Sequence, residues 1–203
     1  MKRHDAPPAV TRDWLVVAIA GAGLALSGYL TWTKAADATA LFCEAGTACD
    51  IVQASRYATF LGIPTAAWGI ALYAVVVALA AAGLTARRWL AAFVLGVVAV
   101  AFSAYLAVVQ LVVLRAVCPW CAVDAAVAFV LLGALLWRRP ATGRRSRIRP
   151  TRVAWIAGVV AAVTLAVAIG VHQTEPPEAA SSYREALARH LTSSGAIFYG
   201  AFW

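Results

Sequence analysis

Residues 87–139 read RRWLAAFVLGVVAVAFSAYLAVVQLVVLRAVCPWCAVDAAVAFVLLGALLWRR. Two apolar runs, Trp89–Leu114 and Cys118–Trp137, lie between arginine pairs and are joined by Arg115-Ala116-Val117. Each run reaches the roughly 20 residues that a helix needs to cross a bilayer. Backbone polar groups have no water partners in hydrocarbon, so apolar runs of this length must be helical. The stretch is a transmembrane hairpin, with both arginine pairs on one side and a Cys-Pro-Trp-Cys motif on the other.

Three further runs extend this pattern: Trp14–Thr33, Thr65–Leu84 and Val153–Val171. The 203-residue chain is 63% hydrophobic and only 13% charged, with mean hydropathy +0.80, which excludes an ordinary soluble domain. The expected fold is an all-α membrane protein, a four-helix transmembrane bundle with a fifth transmembrane helix. Trp14, Trp32, Trp89, Trp137 and Trp155 fall near span ends, where interfacial tryptophans belong. Ala38-Thr39-Ala40 resembles a signal cleavage site, but the apolar core before it is longer than a signal core, and Trp32 and Lys34 interrupt the approach.

The net charge of +8 could suggest nucleic acid, yet the basic residues lie where topology signals lie. Lys2, Arg3, Arg12, Arg87, Arg88 and the run from Arg138 to Arg152 fall on one side of the expected spans. Lys34, Arg56, Arg115, Arg184 and Arg189 fall on the other. The positive-inside rule puts the N-terminus in the cytoplasm and all four cysteines outside it, as in a multi-pass protein of a cell inner (plasma) membrane. The expected organisation is a redox bundle over 14–140 with an outer loop at 34–64. A basic cytoplasmic loop at 141–152, the fifth helix at 153–171 and an extracytoplasmic segment at 172–203 follow.

Two cysteine pairs therefore meet at one membrane boundary, in a compartment where disulfides persist. Cys43 and Cys49 flank a short segment containing Gly46 in the outer loop. Asp50 is the expected N-cap of a short half-helix that lies at the interface and covers a pocket. Gly62-Ile63-Pro64 then turns the chain into the second span. A structural bridge explains the first pair equally well, but not the second. Cys118-Pro119-Trp120-Cys121 opens a helix, where the positive dipole end and unpaired N–H groups favour a thiolate, and where Pro is tolerated. Cys-x-x-Cys pairs are readily reduced and re-formed. Zinc is the rival use of four cysteines. The unequal spacings, the lipid boundary and the lack of a nearby His favour redox chemistry and no metal.

Asp124, one turn beyond Cys121, is either a proton carrier for chemistry in the bilayer or an interfacial carboxylate paired with Arg115, and the latter is the plainer reading. Tyr105 and Gln110 are expected to make helix–helix hydrogen bonds. His172 and His190 are expected to be solvated.

The Cys43…Cys49-Asp50 loop, Ser55, Gly62-Ile63-Pro64 and the Cys118–Cys121 motif together resemble the bacterial branch of the vitamin K epoxide reductase family, over roughly residues 14 to 140. The resemblance implies a four-helix bundle around a quinone, with electrons entering from a thioredoxin-like protein or fused domain. It implies that Cys43 and Cys49 are the shuttle pair and Cys118 and Cys121 the active-site pair. Cys118 would exchange with Cys49, and Cys121 would face the quinone. Ser55 matches the hydroxyl that hydrogen-bonds a quinone oxygen in the family. One position departs: vertebrate enzymes carry a tyrosine four residues after the second active-site cysteine, and Ala125 stands here.

The expected activity is a thiol–quinone oxidoreductase that makes disulfides for exported proteins, with ubiquinone, menaquinone or phylloquinone as acceptor. Its rivals are a quinone or quinone-epoxide reductase serving quinol supply, and a membrane scaffold with structural disulfides. The expected surroundings are lipid bilayer, quinone and the thioredoxin-like partner, without nucleic acid. Beyond Pro176-Pro177, an amphipathic helix is expected over 181–191. Gly195–Trp203 resembles the first core strand of a thioredoxin-like domain, so the chain reads as a fragment ending before that domain's active site.

Overall fold

The computed structural model describes residues 12–138 apart from 37, 39, 42 and 45, together with 150–174 and 186–194 apart from 188. Its long helices are α1 (Trp14–Ala35), α3 (Thr65–Ala81), α4 (Ala86–Val108), α5 (Pro119–Trp137) and α6 (Pro150–Thr174). A short helix, α2 (Ala48–Ala54), precedes α3, and a π-helical turn, Val109–Leu114, prolongs α4. Between α2 and α3 stand a 3₁₀ turn, Arg56–Ala58, and a minimal hairpin of β1 (Thr59–Phe60) and β2 (Ile63–Pro64). The chain is an all-α membrane protein of several spans.

Four helices, Trp14–Ala35, Ala86–Leu114, Pro119–Trp137 and Thr151–Gln173, are long and apolar enough to cross a membrane. The fifth, α3, is apolar but has only 17 residues. At about 1.5 Å per residue it falls short of a full hydrocarbon core. The sequence led to an expected end at Leu84, yet the helix stops at Ala81. Gly83 takes a left-handed φ of +87°, and its N–H bonds the Ala80 carbonyl, closing the C-terminus early. At its other end α3 begins at Thr65 as expected, and the hairpin leads into it, its two-residue turn placing Leu61 and Gly62 at φ 55° and 75°.

α1 packs on α3 and α5, while α4 packs on α5, α6 and α3. Their shared core contains Val16, Ala20, Tyr73, Val76, Trp89, Phe93, Leu131 and Leu135. Small residues allow the approach: a Cβ on Gly23 would lie 2.6 Å from the Tyr73 ring, and one on Gly69 2.6 Å from Ser27 Oγ. Trp89 is not an interfacial residue. It is 1% exposed, stacks on Phe93 and donates to the Leu135 carbonyl at 2.7 Å, since a buried indole N–H needs an acceptor. Trp14, Trp32, Trp137 and Trp155 are all exposed. Val108, Leu111, Val112, Phe129, Val130 and Val159 are exposed as well, an outward apolar surface suited to lipid.

At the N-terminal end of α1, Asp13 accepts from the Val16 N–H and pairs with Arg138 at 3.6 Å. Residues 186–187 and 189–193 are helical. The basic loop beyond Arg138 and the strand expected over 195–203 lie outside the described residues, as does the first part of the expected helix over 181–191.

Candidate active site

The outer segment between α1 and α3 folds as a cap over the bundle. α2 begins before the expected position. Its N-cap is Thr47, and Asp50 lies inside the first turn. The reason is local: Gly46, at φ +83°, turns the chain, and its N–H donates to Asp50 Oδ2 at 3.0 Å, so the carboxylate reaches back across the helix start. This turn also closes the Cys43–Cys49 disulfide, with Cα atoms 5.0 Å apart.

Three side chains anchor the cap. Lys34 donates to the Gln53 carbonyl at 3.2 Å, and Trp120 to the Leu41 carbonyl at 2.7 Å. Tyr29 accepts from the Leu41 N–H at 3.0 Å, and its ring sits 5.5 Å from that of Trp120. Cys43, Cys49, Val52, Ala116 and Cys118 form a small buried cluster beneath these anchors.

The second cysteine pair is held by the backbone of α4 and α5. Arg115, at φ 49°, reverses the chain after the π-helical turn. That turn brings Gln110 under α5, where its Oε1 accepts from the Cys118 N–H at 2.8 Å. Cys118 is the N-cap of α5, with Pro119 following, and its sulfur accepts from the Cys121 N–H at 3.4 Å. Sulfur here stands where a serine oxygen usually caps a helix, and the same donor stabilises a thiolate. Hydrogen bonds from the Cys121 thiol and from the Cys121 and Trp120 N–H groups outweigh burial and pull the Cys118 thiol below its ordinary range. Cys118 is fully buried, and its Sγ lies 3.7 Å from Cys49 Sγ. Cys118 and Cys121 are free thiols.

Below the cap lies a cavity of about 690 Å³. Cys121 lines it, as do Asp124 and Ala125 further along α5. Val52 and Gln53 of α2 and Tyr57 and Phe60 of the cap form its outer wall, and Val163, Thr164 and Val167 of α6 contribute from the side. The size and mostly apolar lining suit a small organic ligand with a few polar contacts. The polar part of that lining includes Gln53, Tyr57 and Asp124.

Several residues differ from their expected settings. Ser55 does not line the cavity; its hydroxyl donates to the Val52 carbonyl at 2.7 Å. Asp124 pairs with Tyr73, whose hydroxyl donates to Oδ1 at 3.1 Å, because three residues along α5 from Cys121 carry it into the bundle. His172 is 2% exposed and enclosed by aromatic rings, since α6 continues past the expected end at Val171 to Thr174. Gln110 and Tyr105 do make contacts between elements.

Residues 14–136 match the family model described as the vitamin K epoxide reductase family. The chain belongs to that family. Membership makes it a membrane oxidoreductase of the thiol–disulfide and quinone type. The matched residues end at 136, so α6 and its cavity-lining side chains lie beyond them. The sequence offered signals for the cysteines, Ser55, Gln110 and Asp124; Tyr73, Gln53 and Tyr57 had no motif, and only packing brings them to this site.

Proposed function

We propose that this vitamin K epoxide reductase family member oxidises a thioredoxin-like partner and passes the electrons to a membrane quinone, making disulfides for exported proteins. The supporting observation is a line of sulfur atoms. Cys49 lies 3.7 Å from Cys118, and Cys121 lines the cavity.

The partner's two thiols reduce the Cys43–Cys49 bond; the partner leaves as disulfide, and the cap gains two electrons and two protons. Cys49 thiolate then attacks Cys118 of an oxidised Cys118–Cys121 pair, and Cys121 leaves and is protonated. Cys43 resolves the Cys49–Cys118 bond, releasing Cys118. The cap disulfide is restored and both α5 cysteines are thiols, which is the arrangement described above. A bound quinone supplies an acceptor for two electrons and two protons.

Re-forming the Cys118–Cys121 bond requires Cys121 to lose its proton inside the bilayer. Asp124, on the same cavity wall, takes that proton, and the Tyr73 hydroxyl holds the carboxylate in place. Gln53 and Tyr57, rather than Ser55, hydrogen-bond the oxygen beneath the cap. Asp124→Asn is expected to lower turnover about a hundredfold. Exchange between the partner and the cap disulfide should be unchanged in that variant, and full turnover would remove Asp124 from the proton path.

Cys118 attack on the cap disulfide, the reverse of its release, sets a pH dependence. With the thiol lowered, the thiolate persists at a pH where an ordinary thiol is protonated, and below its midpoint it falls about tenfold per pH unit. Exchange rates trapped by alkylation should therefore halve at a pH below the ordinary thiol value of about 8.5. A midpoint near the ordinary thiol value would mean that the helix-start hydrogen bonds do not activate Cys118.

The direct test is optical: reduction of ubiquinone, menaquinone or phylloquinone analogues by purified protein, with a reduced thioredoxin-like donor. Turnover with one of them is the expected result. Folded protein with reducible cysteines that turns over none would favour a structural role for the disulfide.

A further inference from the structure

We infer that His172 of α6 is a positioning residue that fixes the cap over the cavity, so that the fifth helix completes the acceptor site. The inference rests on the quinone reading for the ligand, but its geometry stands apart from that reading. His172 lies beyond the residues matched by the family model. It is 2% exposed, and its ring centre lies 5.1 Å from Tyr57, 5.9 Å from Phe60 and 5.7 Å from Tyr105. Two of those rings belong to the cap and line the cavity.

Both nitrogens of the imidazole have polar partners. Nε2 lies 3.3 Å from the Thr59 carbonyl, while Nδ1 lies 3.3 Å from the Tyr105 hydroxyl and 2.8 Å from the Ala168 carbonyl. A neutral ring carries one proton. With that proton on Nε2, the ring donates to Thr59 and accepts from Tyr105 at Nδ1. The Ala168 carbonyl sits four residues back on the same helix, where the backbone ladder already supplies a donor. A proton on Nδ1 would instead donate to the Ala168 carbonyl at 2.8 Å and turn the Nε2 lone pair toward Thr59, so the positioning role requires the Nε2–H form. In that form the arrangement is a chain, Tyr105 to His172 to Thr59, that joins α4 and α6 to the cap.

Thr59 pairs with Pro64 in the hairpin, so the bond to His172 acts where the cap has least secondary structure to hold it. Such a hydrogen bond between helices and a loop in a buried setting is the kind that orients a site wall without reacting in it. Loss of it should loosen the hairpin and weaken ligand retention, leaving the sulfur relay intact.

The test compares His172→Phe, which keeps an aromatic ring, with His172→Gln, which retains an N–H at a similar reach. Amide hydrogen exchange over 59–63 needs no quinone and no turnover. The Phe variant should exchange there about tenfold faster, and the Gln variant should recover most of the protection. In turnover, the Phe variant should raise KM for the quinone about tenfold with kcat within twofold, and Gln should restore KM. Unchanged exchange over 59–63 in the Phe variant would overturn the inference, as would equal loss of kcat in both variants. Altered exchange in a protein that reduces no quinone would uphold the positioning role and reject the quinone reading. If the Phe variant does not fold, Tyr105→Phe removes the donor to Nδ1 and should produce the same exchange increase; its absence there would also overturn the inference.

Discussion

Cys121→Ala should lose quinone reduction by about a thousandfold or more, leaving only background. Cys121 is the cysteine on the cavity wall, and alanine there has neither electrons to give nor a sulfur to close a bond with Cys118. The cap disulfide remains, so the variant should still oxidise one equivalent of a thioredoxin-like partner and then stop. A stoichiometric burst without turnover, read by optical assay and partner alkylation, is the expected pair of results. Continued turnover would mean that electrons leave from Cys118 or from another route, and the proposed relay would be wrong. A conservative Cys121→Ser change should behave like alanine, because a hydroxyl cannot form the bond either.

The second large effect concerns Cys49 and Cys118. In the double variant Cys43→Ala with Cys121→Ala, these are the only thiols left in the chain. Their sulfurs lie 3.7 Å apart, and bond formation needs a closure of less than about 2 Å. Mild oxidation should convert nearly all the protein to a form cross-linked between residues 49 and 118, seen as one peptide pair after digestion. No third thiol exists to resolve it, so the link should persist until reductant is added. Dominant dimer formation between chains, or free thiols after oxidation, would show that the cap does not hold Cys49 at Cys118. Restoring Cys43 alone should make the link transient, since Cys43 can attack Cys49 again.

The spans were legible because a bilayer demands length and apolarity, and both are written in local composition. Their limits were less so. Leu84 is as apolar as its neighbours, yet Gly83 ends α3 at Ala81 by adopting a conformation that hydropathy does not record. Trp89 looked interfacial from its place beside Arg88; its burial depends on the Leu135 carbonyl, which is distant in sequence. The four cysteines were visible through their spacing and their common side. Their proximity followed from the family resemblance and not from the residues themselves, because the contact between Cys49 and Cys118 needs the cap anchors at Lys34, Tyr29 and Trp120.

Polar residues inside the spans were the hardest to place. Asp124 had Arg115 as its nearest cation in sequence, but the helical period turns it toward Tyr73 instead. His172 looked solvated because the fifth apolar run ends beside it, and only tertiary packing encloses it, with rings from Tyr105 of α4 and from Tyr57 and Phe60 of the cap. Ser55 carried a family likeness, but its hydroxyl is occupied by a carbonyl one turn earlier, a local bond that a motif does not display.

Burial of the sulfur atoms has a consequence for the cell's chemistry. Cys49 and Cys118 are 1% and 0% exposed, too little for a peptide-sized thiol or a peroxide to reach them while the cap is in place. The relay proposed above would then behave as an insulated wire, open to one docked protein at its outer end and to the lipid phase at its inner end. On that proposal, small reductants in the same compartment would not short-circuit it, and disulfide supply would proceed without draining into the ambient thiol pool.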